Sequence, residues 1–576
     1  MQIFNSIGFH MSYDDKPWLK SYDEGVNPEV EIADISLVDR FDEVLELFPE
    51  RPAIHFFGRT LTYQSLMGHA NRFARALIEN GCRPGDIVGI NLPNIPQYLI
   101  AQIGVLKAGC AASGLSPLLA PGEMAYQLND CKAKALVTLD AIFQHRLLGI
   151  SGELPHLKLV VATGIRDFLP KIKQLLAKIL KKVPTGRVTP LPEKRVVRFM
   201  DILVHYSDQR PGVTVKPGDN CLIQYTGGTT GVPKGTELTH ANLVANMSQV
   251  NEWTRPEMGK ETGLSGFPFF HLAGLMLGLL AVAAGGAQVL IPDPRDTRHI
   301  VKEMARYKPT MLINVPSLYL MLLEEPGFRK LDFSCLKFCI SGAAPFPVDR
   351  IRELEGVIGT GKVIEVYGMT ETSPIVTMNP IKGKKKIGTV GLPIQSTRVK
   401  LVDLEIGIRE VPVGEEGEII VRGPQVMKGY LNKPEETQVT IKELEGEPWL
   451  YTGDVARMDE EGYFTIVDRT KDMLIVGGFK VFSREVEEKL HDHPAIELCA
   501  IIGVPNPKRP GSELVKLVVQ LDPAYQGKNR EDVKEEIRLF AKKNMSPYKV
   551  PKIIEFMEKL PLTPVGKVDK KALRQG

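Results

Sequence analysis

The sequence predicts an α/β protein: a large N-terminal domain of α/β subdomains with a small β-barrel-like subdomain, then a smaller α+β domain at the C-terminus. Three observations predict it. From about residue 35 to residue 366, helix-period segments alternate with short apolar runs of strand type, the pattern of parallel sheet in an α/β fold. From Gly388 the pattern changes to short runs of alternating polarity between Gly, Pro and acidic turns, as in antiparallel strands or a small barrel. After a short polar stretch at 468–472, the last hundred or so residues carry their own helix–strand–strand–helix order. The expected domains are 1–470, with the β-rich part at about 388–470, and 471–576.

Taken in order, residues 65–80 place apolar side chains at helical spacing and stop at Gly81, a C-cap residue. Residues 86–91 read as a strand, 96–108 as a helix, and 135–139 and 157–162 as buried strands. Residues 221–225 are strand-like and lead into a Gly/Thr loop, after which 240–253 reads as a helix. The run 272–291 holds twenty residues without a charge, the length of a membrane span. Gly285 and Gly286 break it, so a buried helix, a turn and a buried strand are expected instead. Residues 337–340 and 363–366 are strands running into Ser341-Gly-Ala-Ala-Pro345 and Tyr367-Gly-Met-Thr-Glu-Thr372. Alternating strands are expected at 398–402, 417–421 and 463–467. In the C-terminal part, helices are expected at 483–491 and 530–544 and strands at 499–504 and 515–521.

The segment 168–183 differs from its surroundings. Ile172, Leu175, Leu176, Ile179, Leu180 and Val183 recur at helical spacing. Lys171, Lys173, Lys178, Lys181 and Lys182 fill most of the remainder, and no acid lies between Asp167 and Glu193. Two placements fit: a helix lying on an anionic membrane surface, or one packed on its own domain with a solvated lysine face.

Hydrophobic residues at 43% and charged residues at 24% are ordinary for a globular chain of 576 residues. A net charge of +3 from 72 basic and 69 acidic side chains gives no reason to expect nucleic acid. The seven cysteines are scattered and form no C-x-x-C, so neither a disulfide framework nor a cysteine metal site is expected. A reducing cytoplasm fits them, and residues 1–23 do not read as a signal peptide.

The chemistry starts at Tyr225-Thr-Gly-Gly-Thr-Thr-Gly-Val-Pro-Lys234-Gly235. Glycines let backbone N–H groups approach an anion, Thr hydroxyls add donors, and Lys234 adds a charge that no acid in the loop cancels. This is the composition of a polyphosphate cradle. It is not a Walker A loop, because Lys234 stands between Pro233 and Gly235. A plain Gly-rich turn would share the composition.

Further motifs follow: Tyr367-Gly-Met-Thr-Glu371, Pro424-Gln-Val-Met-Lys-Gly-Tyr430, Tyr451-Thr-Gly-Asp454, Asp468-Arg469 and Leu560-Pro-Leu-Thr-Pro-Val-Gly-Lys567. With the Thr/Gly loop, their order and spacing resemble the adenylate-forming superfamily of acyl-CoA synthetases, luciferases and peptide-synthetase adenylation domains. Within it the chain is most similar to bacterial long-chain fatty acyl-CoA synthetases, over residues 35–575.

The resemblance implies ATP-dependent activation of a fatty acid to an acyl-adenylate, with transfer to CoA. It implies that Thr226, Gly227, Gly228, Thr229, Thr230, Gly231 and Lys234 hold the β- and γ-phosphates. Glu371 would bind Mg²⁺, and Thr370 would donate to the α-phosphate. Tyr367 and Gly368, with Gly342, Ala343 and Ala344, would flank adenine; Asp454 and Arg469 would hold the ribose. Lys567 would bridge carboxylate and α-phosphate. The resemblance also implies a mobile C-terminal domain that rotates about Lys471, with Gly477 and Gly478 admitting the pantetheine of CoA.

His271 matches a position at the mouth of the acyl pocket, and a capping or core histidine fits it equally. The chain departs from the family pattern at Lys480 and Ser483, where Asn and Pro are expected. Alternatives are an aryl or alicyclic acid–CoA ligase, a ligase loading a carrier protein, or a non-catalytic fatty-acid-binding protein at the membrane surface. Expected partners are ATP, CoA and a fatty acid, without nucleic acid. A homodimer is admitted, as is a cytoplasmic location with peripheral contact at the inner membrane face.

Overall fold

The computed structural model describes residues 12–180, 183–226, 232–477, 479–509, 512–563 and 568–575, with side chains at 176–180 excepted. It is a mixed α/β protein of two compact units. One comprises Ser21–Thr397 and Arg422–Ile441. The other is built from Arg398–Val421 and from Lys442 onward, with the described N-terminal residues up to Lys20.

The first unit holds two large sheets. In the first, the order is Gly429–Tyr430, Lys234–Thr239, Asn220–Thr226, Ala111–Gly114, Ile87–Asn91, Ala135–Leu139, Leu159–Thr163 and Arg195–Arg198. The second runs Leu392–Pro393, Ile375–Met378, Val363–Gly368, Phe338–Ser341, Met311–Asn314, Thr262–Ser265, Ala287–Leu290, Pro52–Phe56 and Arg59–Thr62. The central pairings are parallel, for example Met311↔Phe338 and Cys339↔Val363. Antiparallel pairs occur towards one edge of the first sheet, at Asn220–Thr226 with Lys234–Thr239, and in the second at Val363–Gly368 with Ile375–Met378, while the Arg195–Arg198 edge is parallel. Central strands buried on both faces read as continuous apolar runs.

The helices follow their expected signals closely. Tyr63–Glu79 begins where Thr62 accepts from the Ser65 N–H at 3.2 Å, two residues before the first expected position, and Gly81 follows it at φ +89°. Leu272–Ala283 is a buried helix, Gly285 turns at φ +67°, and Ala287–Leu290 is a strand. No helix among the described residues is long and apolar enough to cross a membrane.

One element differs from expectation. Between the Thr/Gly loop and the helix His240–Thr254 lies a strand, Lys234–Thr239, paired antiparallel with Asn220–Thr226. The loop is therefore the tip of a hairpin rather than a strand-to-helix turn. Thr236 and Leu238 are buried, so pairing and burial order a six-residue segment too short to show a period.

The second unit contains a five-stranded antiparallel sheet built on Glu447–Met458, with Glu416–Arg422 and Phe464–Arg469 beside it. A hairpin, Leu474–Val476 with Phe479–Val481, follows. A three-stranded sheet, Ile496–Pro505, Glu513–Leu521 and Ile553–Met557, packs with the helices Ser483–Leu490 and Arg530–Asn544 around Val486, Ile501, Leu517, Val533 and Ile537. Asp468 and Arg469, expected in a linker, end the strand Phe464–Arg469 instead, and Asp468 is buried.

Candidate active site

The first unit assembles a polar cluster where the hairpin strands meet the Thr/Gly loop. Thr226 and Lys234 are paired across the base of the loop. The strand Gly429–Tyr430 adds to the same edge with Tyr430 opposite Thr236, so Tyr430 and Lys234 are diagonal neighbours on one face. Lys234 Nζ lies 4.5 Å from the centre of the Tyr430 ring and 2.8 Å from Glu436 Oε2. The Tyr430 hydroxyl donates to Glu371 Oε1 at 2.7 Å. Glu371 is 5% exposed, and the Met427 N–H donates to its backbone carbonyl at 2.8 Å. Burial and the Glu371 charge push the Tyr430 hydroxyl pKa well up, so the phenol stays a donor.

Glu371 stands on a short turn, Thr370–Thr372, that the strand Val363–Gly368 feeds. The turn is closed by Met369 N donating to Pro374 O at 2.9 Å and by Thr372 Oγ1 donating to the same oxygen at 2.7 Å. A Cβ at Gly368 would come within 1.8 Å of Pro374 O, so only glycine allows this closure. Among the described residues no group of three His, Cys, Asp or Glu side chains converges. One buried, oriented carboxylate nevertheless fits Mg²⁺, which takes one or two carboxylates and completes its shell from phosphate oxygens and water.

Beside the turn opens an apolar cavity of about 720 Å³, its mouth included. Gly342, Ala343, Gly368, Thr370 and His271 line it, as do Leu272, Met276, Leu277 and Leu280 of the helix Leu272–Ala283. Ser341 pairs with Glu365, so Gly342 and Ala343 run alongside Val366 and Tyr367. Val366 lines the cavity, and Tyr367, half-buried, alternates to the other face of its strand.

His271 is placed by a clamped segment. Asn94 Nδ2 donates to Phe267 O at 2.7 Å, and its Oδ1 accepts from the Phe269 N–H at 2.8 Å. The Tyr98 hydroxyl donates to Phe269 O at 2.8 Å, and Gln224 Nε2 to Phe270 O at 2.9 Å. A Cβ at Gly274 would lie 2.2 Å from Pro268 O, which explains the glycine one turn into the helix. Asn246 Nδ2 donates to Ile375 O at 2.9 Å, and its Oδ1 accepts from Ile375 N–H at 3.1 Å, which fixes the opposite wall.

In the second unit, Asp454 and Arg469 face each other across an antiparallel pair, with Arg469 Nε 3.0 Å from Asp454 Oδ1. Gly453, at φ +72°, donates its N–H to Glu418 Oε1 at 2.9 Å and lies within a strand rather than an isolated turn. Glu418 is raised in pKa, chiefly by burial. Lys471, two residues past Arg469, is lowered to about 8 by burial and the neighbouring guanidinium. Gly477 turns the hairpin at φ +61° and donates its N–H to Ser512 Oγ at 2.8 Å.

The structure thus brings together Lys234 and Glu371, then Thr370 with His271, Gly342, Ala343 and Gly368 around the cavity, and separately Asp454 with Arg469. Ala344 lies next to Ala343, outside the cavity wall. Gly227, Gly228, Thr229, Thr230, Gly231, Gly478 and Lys567 lie outside the described residues. Tyr430, Glu436 and Asn246 were not singled out as site residues from sequence. Tyr430 ends the Pro424–Tyr430 motif, which was a usable signal; Glu436 and Asn246 carried none.

Comparison with known proteins places this geometry. Residues 41–431 match the AMP-binding enzyme family, and residues 485–567 match the AMP-binding enzyme C-terminal domain. A long-chain-fatty-acid–CoA ligase of Bacillus subtilis is 36% identical over 567 residues, covering 97% of each chain. A feruloyl-CoA synthase of Amycolatopsis is 33% identical over 530 residues, covering 92% of this chain and 96% of its own. The crystal structure of an anthranilate CoA ligase with anthranoyl-AMP matches with a TM-score of 0.79 at 26% identity, covering 98% of both chains.

Proposed function

The chain belongs to the AMP-binding enzyme family and is an ATP-dependent, AMP-forming acid–CoA ligase, and from that premise we propose that the acid it activates is a fatty acid. The observation that carries the proposal is the cavity wall. Leu272, Met276, Leu277 and Leu280 extend it along nine residues of one helix, about 12 Å at 1.5 Å rise between residues. That is longer than one aromatic ring. Its polar groups, Thr370, His271 and Asn246, are few, as in a pocket that orients one polar end of an apolar ligand.

In the first half-reaction a carboxylate oxygen attacks the α-phosphorus of ATP. The bond from that phosphorus to the oxygen bridging to the β-phosphate breaks, and pyrophosphate leaves. Lys234, Thr226 and the loop residues 227–231 hold the leaving group, with Glu436 and the Tyr430 ring fixing the lysine. Glu371, oriented by the Tyr430 hydroxyl, would hold Mg²⁺, which when bound offsets phosphate charge. Thr370 and Lys567 donate to the α-phosphate, where charge develops. Tyr367 with Gly342, Ala343, Ala344 and Gly368 receives adenine, and Asp454 with Arg469 receives the ribose.

In the second half-reaction the CoA sulfur attacks the acyl carbon and the bond to the AMP oxygen breaks. The C-terminal domain, 471–576, reorients about Lys471 for this step, and Gly477 and Gly478 give the pantetheine arm room beside backbone. The second reading is an aryl acid–CoA ligase, favoured by the names of the Amycolatopsis relative and the anthranilate ligase.

Acid-dependent ATP–pyrophosphate exchange, and AMP release with and without CoA, test the substrate. Medium- and long-chain saturated acids should support exchange and CoA-dependent release. Faster turnover of ferulate, anthranilate or benzoate would replace the fatty-acid reading with the aryl one.

A further inference from the structure

At 171–175 the helix Lys171–Leu180 is turned the wrong way for a helix packed on its own domain. Such a helix buries its apolar stripe and solvates its charges. Here Ile172 is 77% exposed and Leu175 is 61% exposed. The inward side chains are polar. Lys173 Nζ donates to Phe57 O at 2.6 Å and sits 5.5 Å from the Phe57 ring centre; Gln174 Nε2 donates to Leu169 O at 2.8 Å. Lys173 serves as the anchor, and Ile172 and Leu175 face outward.

Its surroundings are basic. Phe57 stacks on His299, ring centres 4.3 Å apart, and so joins this helix to the helix Thr297–Tyr307. On that helix Arg298, Lys302 and Arg306 are exposed at i, i+4 and i+8, one continuous stripe. Arg306 lies over Gly58, next to Phe57, and the charges of Lys302 and Arg306 add to burial in lowering the pKa of Lys173. Of the nearby acids, Glu303 is buried and acts on Lys173 in the opposite sense to these cations, Asp167 accepts from Gly164 N–H at 2.7 Å, and Asp296 caps His299 N–H at 3.0 Å, so the exposed stripe of that helix is itself basic. Lys171 is exposed beside Ile172.

We propose that the face bearing Lys171, Ile172 and Leu175, together with the Arg298–Lys302–Arg306 stripe, is a docking surface for an anionic lipid bilayer. Two solvent-facing aliphatic side chains ringed by Lys and Arg are the combination that seats an interfacial helix: the apolar groups enter the acyl boundary and the cations pair with phosphate headgroups. A protein partner would instead be held by buried aromatic or Arg anchors in a closed pocket, whereas Ile172, Leu175 and the basic stripe all lie exposed.

The test uses the purified full chain, without ATP or CoA, and sedimentation with phosphatidylcholine vesicles that contain or lack phosphatidylglycerol. Wild type should sediment with the phosphatidylglycerol vesicles alone, and raised salt should release it. Lys302→Gln with Arg306→Gln removes two surface charges and should weaken binding roughly 25-fold, about fivefold per charge. Ile172→Gln with Leu175→Gln should weaken it at least about tenfold. Both pairs are exposed, so the thermal midpoint and the turnover of a water-soluble short acid should stay at wild-type values. Wild type that ignores phosphatidylglycerol, or variants that sediment like wild type, would overturn the proposal. So would loss of a dimer in the Ile172/Leu175 variant with vesicle binding intact, which would make this face a contact between two copies of the chain.

Discussion

Replacing Tyr430 by Phe isolates the contact that orients Glu371. The substitution keeps the ring 4.5 Å under Lys234 and removes only the hydroxyl that donates to Glu371 Oε1 at 2.7 Å. A hydrogen bond to a charged group contributes about 1.5–3 kcal/mol, and Glu371 is too buried for water to replace it fully. The apo protein should lose about that much stability in a urea melt. The functional effect differs if Glu371 holds Mg²⁺. Removing an outer partner of a metal ligand costs about 10- to 100-fold in metal affinity or activity. The Mg²⁺ concentration giving half-maximal ATP–pyrophosphate exchange should rise by a factor in that range, and high Mg²⁺ should recover most of the rate. Lys234 keeps both its contacts, so exchange at saturating Mg²⁺ should show little change in the ATP requirement. A stability loss with an unaltered Mg²⁺ curve would refute the reasoning: Tyr430 would then be structural and Glu371 no cation ligand.

Two further outcomes bear on the proposed hinge and the domain after it. Lys567→Ala should abolish acid-dependent pyrophosphate exchange while leaving thioester formation from synthetic acyl-adenylate and CoA largely intact; equal loss of both half-reactions would argue against alternation of the C-terminal domain. Lys471, lowered to about 8 by burial and by Arg469, is disfavoured in its charged form by the folded state. Its destabilising contribution is therefore full below pH 8 and disappears as pH rises towards the ordinary lysine value of about 10.4. Lys471→Met should be more stable than wild type below pH 8, with the difference closing above it. Denaturant melts across that window check the sign, and a difference independent of pH would exclude the titration.

Much of this was legible in the sequence because two periods carry it. The helices Tyr63–Glu79, Pro96–Lys107 and Arg530–Asn544, and the strands Ala135–Leu139 and Arg398–Val402, fall within two residues of their expected ends. Glycine placement was legible too, since Gly81, Gly285, Gly453 and Gly477 all sit at positive φ. What failed was non-local. The strand Lys234–Thr239 is defined by pairing with Asn220–Thr226 and Gly429–Tyr430, a contact almost two hundred residues away that no local window holds. Tyr430 and Glu436 reach Lys234 only through that edge, and Asn246 bonds the Ile375 backbone across 129 residues of chain. The orientation of Lys171–Leu180 was equally beyond periodicity, which gives a stripe but not the side it faces.

Ser483 shows what a departure from a family pattern can mean physically. Proline, the residue expected there, has no N–H. The Ser483 N–H donates to Asp468 Oδ2, and its Oγ donates to Asp468 Oδ1 at 3.1 Å while accepting from Lys570 Nζ at 2.6 Å; Lys570 in turn lies 2.8 Å from Glu487. Asp468 and Glu487 are both raised in pKa, chiefly by burial, so these donors are what keep two buried acids tolerable. Asp468 precedes the proposed hinge at Lys471, and Ser483, Glu487 and Lys570 follow it. A rotation there that carried Ser483 away would leave the Asp468 carboxylate short of its partners, at about 1–3 kcal/mol for each buried donor lost. Serine in place of proline thus biases this chain towards the arrangement observed, and any rotation about Lys471 would have to offset that bias.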